Sequence, residues 1–125
     1  MKNSNTYNIA LLFLRVAFSG MMLTHGIPKL MKLISGDFSF ADPIDIGAPA
    51  SLILAVLCEV LFPILIIIGF KTRLATIPVI LTMLVAIFIH HANDGLDLKE
   101  KAILYLIGFI SIALLGAGRY SVDGK

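Results

Sequence analysis

Four residues with side chains that could do chemistry fall inside apolar runs of this 125-residue chain: Arg15, His25, Glu59 and Tyr105. Glu59 stands near the middle of residues 48–70, a stretch with no other charged residue. A charge at that depth in a bilayer costs about 2.5–3.5 kcal/mol on insertion scales, so it faces a bundle interior and has a partner. Arg15 is the expected partner. Counted at about 1.5 Å per residue from the side holding both termini, Arg15 lies roughly 9 Å in and Glu59 roughly 16 Å. On the same count His25 and His90 lie at roughly 24 Å, with Tyr105 at a similar level. Pro63, four residues after Glu59, cannot donate to the Glu59 carbonyl, so a kink and a freed carbonyl are expected beside the acid.

The arrangement expected from these residues is an intramembrane polar site of Arg15, His25, Glu59 and Tyr105, with Lys29, His90 and Glu100 contributing at its outer face. An acid and an imidazole together could bind and pass protons, because histidine titrates close to neutral pH. The structural alternative is an ion pair that only sets helix register, with His25 as an interfacial or capping residue and His90 as a helix end. Two histidines at one depth are also the geometry of a haem clamp, but His90 ends its helix. A di-metal carboxylate site needs several acids, and Glu59 is the single one within an expected span. No metal site is therefore expected. Cys58 stands alone, so neither an internal disulfide nor a CxxC redox pair can form.

The elements that must position these groups follow from hydropathy. Hydrophobic residues make up 58% of the chain and charged ones 14%, with mean hydropathy +0.97. A soluble domain is nearer half apolar and a quarter charged, so this is the composition of a membrane protein. The net charge of +2 is spread along the chain, which leaves no footprint for nucleic acid. Apolar periodicity and turn signals give helices over about 9–30, 48–70, 74–90 and 101–117, in one domain spanning 1–125. Residues 1–8 read as a polar lead-in, and Arg15 interrupts the first run, so that run is an uncleaved helix and not a signal peptide. The Lys71-Thr72-Arg73 connection is too short for anything but an antiparallel return. The expected fold is all-α: an integral membrane four-helix bundle, antiparallel, up-down-up-down. Four crossings put both termini on one side. That side holds five basic residues (Lys2, Lys71, Arg73, Arg119, Lys125) against four opposite (Lys29, Lys32, Lys99, Lys101), which orients both termini to the cytoplasm.

Several short pieces recur in order along these segments. They are Leu14-Arg15 with Gly20; Thr24-His25-Gly26 with Pro28-Lys29-Leu30; Glu59; Gly69-Phe70-Lys71-Thr72-Arg73-Leu74-Ala75; Ala86; Glu100-Lys101-Ala102 with Tyr105; and Gly116-Ala117-Gly118-Arg119-Tyr120-Ser121-Val122-Asp123. In this order and spacing the chain resembles the DoxX family of small four-helix bacterial membrane proteins. The resemblance implies an integral protein of the bacterial cytoplasmic (inner) membrane. Some family members resemble subunits of quinone-linked oxidoreductases such as thiosulfate:quinone oxidoreductase. Others associate with thiol-redox or oxidative-stress proteins.

Three functions are consistent with the sequence. The first is a subunit of a redox or oxidative-stress-linked membrane assembly, contacting a quinone near Arg15, His25, Glu59 and Tyr105, more an accessory subunit than an enzyme alone. The second is a small proton-coupled transporter component using Glu59, which at this size would have to oligomerise. The third is a structural anchor for a partner protein. All three place the chain in a lipid bilayer with a partner protein or further copies of itself.

Overall fold

The computed structural model describes residues 4–39, 45–91 and 93–124, the side chains of His90 and Leu98 excepted. Serine 4 starts the first helix. Its hydroxyl accepts from the Tyr7 N–H at 3.1 Å, satisfying one of the orphan donors of a helix N-terminus. With that cap, α1 runs Asn5–Ile34, longer at both ends than hydropathy predicts, and carries Pro28 without ending there. The polar residues after Ser4 are its first turn and not a frayed lead-in. α2 spans Ala48–Ile68. α3 begins at Thr72, is α-helical to Val85 and closes in a π-helical turn, Ala86–His90. α4 spans Leu96–Leu115. No strand occurs among the described residues.

Pro63 is accommodated differently from a simple kink. A π-helical turn, Leu57–Leu61, precedes it within α2, and the Phe62 N–H bonds the Leu57 carbonyl. Widening the turn gives the proline ring room against the Glu59 carbonyl, four residues back. Glu59 sits in the middle of this wide turn.

The helices close into a ring in which α1 packs on α2, α2 on α3, α3 on α4 and α4 on α1. The directions alternate. Arg15 of α1 meets Ile66 and Ile67 of α2 while Gly26 meets Glu59, and Phe18 meets Phe109 of α4 while His25 meets Tyr105. Met22, Ile66, Val79, Phe109 and Ile112 fill the centre. Outward-facing Phe13, Leu74, Phe88 and Leu114 are 63–76% exposed. A large apolar surface around the whole girth needs lipid to cover it. Among the described residues three helices, α1 to α3, are long and apolar enough to cross a bilayer. α4 has Asp97, Lys99, Glu100 and Lys101 in its first two turns and an uncharged stretch, 102–115, after them.

Candidate functional site

The buried side of α1 presents Arg15, Ser19, Met22 and Gly26, spaced three or four residues apart, so one helix face supplies polar groups at two levels. The two levels turn out to be separate centres. The expected Arg15–Glu59 ion pair does not form.

Arg15 is fully buried and bonded to backbone oxygens alone. Its Nη1 donates to the carbonyls of Ile66 at 3.0 Å and Ile67 at 2.7 Å, Nε to Ala117 at 2.9 Å, and Nη2 to Tyr120. The first two are last-turn carbonyls of α2, where the helix dipole favours a cation. The remaining groups of that helix end are satisfied as well. Gly69, at φ +74°, closes a Schellman turn through Gly69 N–H to Ile66 and Phe70 N–H to Leu65. The segment after α4 completes the set: Val122 N–H bonds Ile68 and Asp123 N–H bonds Gly69. A β-carbon at position 69 would lie 2.2 Å from Ser121 Cβ, so glycine is required both for the backbone angle and for the close approach. The Asp123 carboxylate then accepts from the N–H groups of Lys71 and Thr72, each at 2.8 Å, and caps α3 from outside. Partial burial alone would raise its pKa. The Thr72 and Lys71 N–H groups, with the Arg15 charge nearby, outweigh that and hold it below the usual aspartate range. Arg15 thus belongs to a clip that fastens the chain's far end under α1 and α2.

Glu59 finds its cation elsewhere on α1. Lys29 Nζ lies 2.7 Å from both carboxylate oxygens. Side chains on a helix lean toward its N-terminus, which brings the Lys29 ammonium back to the level of Gly26. There a β-carbon on residue 26 would lie 2.4 Å from the Glu59 carbonyl oxygen. Glycine therefore lets α1 and α2 touch where the acid sits. The Glu59 residue is 5% exposed, and the Lys29 side chain 31%.

On the other side of α1, the His25 and Tyr105 rings meet edge to face, 5.7 Å apart at 87°. Tyr105 also stacks on Phe109 at 6.3 Å. Neither the Tyr105 hydroxyl nor the His25 ring nitrogens hydrogen-bond among the described residues. Both side chains line a groove of about 480 Å³ between α1 and α4. Its other walls are Phe18, Met21 and Leu104, with Thr24 and Lys101 at its polar end. Hydropathy did not single out Lys101, although it stands four residues before Tyr105 and so on the same face of α4. Of the expected residues, His25 and Tyr105 meet at the groove and Lys29 joins Glu59. Arg15 is remote from both, and Glu100 is exposed on α4. His90's side chain lies outside the described residues.

The family model for DoxX matches residues 10–92. A protein of Haemophilus influenzae (strain Rd) is 29% identical over 130 residues, covering 92% of this chain and 89% of its own length, and is described as an uncharacterized protein. No solved structure matches.

Proposed function

The chain belongs to the DoxX family, and on that premise we propose that it is the membrane subunit of a redox or oxidative-stress-linked assembly, holding a quinone head in the groove between α1 and α4. The observation that carries this reading is the pair of unsatisfied polar side chains, His25 and Tyr105, on a groove whose other walls are mostly apolar. A quinone has the same division, with two carbonyl acceptors on a ring and a long apolar tail. The Tyr105 hydroxyl is a donor, and the His25 ring can donate from one nitrogen and accept at the other. Phe18 and Leu104 exclude water from the ring. Electrons would come from a partner subunit, since the lone Cys58 gives this chain no dithiol of its own. A bound quinone would supply the two-electron, two-proton chemistry, and His25 is the nearest group suited to handing over protons.

Purification in native lipid followed by extraction tests the reading. Quinone should co-purify with the protein and be lost from a Tyr105→Phe/His25→Leu variant that still folds. Absence of quinone from the folded protein overturns it. The double engagement of Glu59 by Lys29 favours a second reading, a structural bundle that docks a partner. Under that reading the groove variant keeps its partner and its cellular role.

A further inference from the structure

At the end of the bundle that carries the clip lies a second cleft, of about 630 Å³, between the first turns of α1 and the last turn of α4. Leu11, Leu114 and Leu115 form its apolar walls, and Tyr7, Arg73 and Arg119 its polar rim. Among the described residues no carboxylate side chain lines it. Both cations rest on fixed backbone. The Arg73 guanidinium lies over Gly116, where a β-carbon would come within 3.0 Å of Nη2, and reaches the Leu114 carbonyl at 3.4 Å. That single long contact leaves most of its N–H donors unused. The Arg119 N–H donates to Asn8 Oδ1 at 3.0 Å, and Asn8, 3% exposed, is itself tied to the Ser4 carbonyl. The Arg119 guanidinium makes no hydrogen bond among the described residues. Asp123 shares the neighbouring cleft with Arg73 but forms no ion pair with it among the described residues, because its carboxylate is taken up by the Lys71 and Thr72 N–H groups.

Two guanidinium groups with spare donors, beside an apolar slot at the end of a membrane bundle, match one chemistry: a phosphate ester carrying acyl chains. We propose that this cleft is a site for an anionic phospholipid, its phosphate between Arg73 and Arg119 and one acyl chain along Leu11, Leu114 and Leu115. Guanidinium forks suit phosphate oxygens, and basic pockets between helices bind anionic head groups in this way. The site is independent of the quinone groove, which opens at the level of His25 and Lys101.

The full chain, purified in detergent and titrated with dioleoyl phosphatidylglycerol or dioleoyl phosphatidylcholine, can be followed by native mass spectrometry. Phosphatidylglycerol should be retained preferentially, with the preference falling about fivefold for each arginine replaced. Arg119→Gln removes no internal hydrogen bond among the described residues, so it tests the site without threatening the fold. Arg73→Gln/Arg119→Gln should abolish the preference, Lys101→Gln at the opposite end should leave it intact, and glycerol 3-phosphate should not compete. Equal retention of the two lipids overturns the proposal. So does unchanged retention in the arginine variants, equal loss in Lys101→Gln, or displacement by glycerol 3-phosphate, which would mark a free-phosphate site instead.

Discussion

Replacing Arg15 with alanine takes a donor away from the carbonyls of Ile66, Ile67, Ala117 and Tyr120 at one stroke. Hydrogen bonds to a charged group are worth about 1.5–3 kcal/mol each, so the expected loss is several kcal/mol, and thermal unfolding in detergent would measure it. Arg15→Lys should recover little, since an ammonium cannot span four oxygens with a planar fork. Asp123→Asn should cost less, below about 1 kcal/mol, because the amide keeps one of the two acceptor oxygens and loses the charge. Its pH dependence has a definite sign. The folded pKa lies below the unfolded one, so the contribution is present above the ordinary aspartate value and is lost as pH falls through the folded value. Melting curves of the wild type and Asp123→Asn should therefore differ at pH 7 and converge in acid. For Lys29 and Glu59, either single replacement by methionine should destabilise more than the double replacement, which leaves no stranded charge. The need for a partner at Glu59 was legible in the sequence, but its identity was not. Depths counted from Ile9 and Phe70 assume that those residues are level. In the fold Arg15 is level with Ile66 and Gly26 with Glu59, so eleven residues of α1 and seven of α2, roughly 10–16 Å, separate the two centres.

Among the elements, α1 and α2 depend on glycine at one position and are indifferent to it at another. Gly26→Ala would drive a methyl into the Glu59 carbonyl, pushing the helices apart at a cost of about 1–3 kcal/mol and loosening the Lys29 contact. At Gly20 nothing lies within 4 Å of the added carbon, so Gly20→Ala should be neutral or stabilise by about 0.5–1 kcal/mol. Comparing the two unfolding midpoints checks the pair. The four helices were visible from hydropathy because each is one long apolar run, whereas their ends were not. Ser4 extends α1 by capping it, and Asp123, distant in sequence, fixes where α3 starts. The π-helical turn at Leu57–Leu61 was foreshadowed by Pro63. The turn at Ala86–His90 has no proline beside it, and no local signal announced it.

For the whole molecule, the antiparallel ring and its apolar girth follow from composition and short turns, and both appear in the structure. The basic bias predicts that both termini face the cytoplasm: a fluorescent protein fused after residue 125 should then glow and a fused periplasmic phosphatase stay inactive, and the opposite result would reverse the orientation. The clip was the least legible feature. Its parts, Arg15, Gly69 and residues 116–123, are scattered through the chain, and no periodicity links them. They also set a timetable for biosynthesis. The ribosome makes Arg15 about a hundred residues before the carbonyls of Ala117 and Tyr120 that complete its shell, separations of 102 and 105 positions. Until then a nascent chain carries an incompletely solvated cation that the insertion machinery or a membrane protease can sense. A chain stopped before Ala117 should therefore insert its helices and still be cleared, which pulse-chase labelling would show as normal synthesis followed by rapid decay.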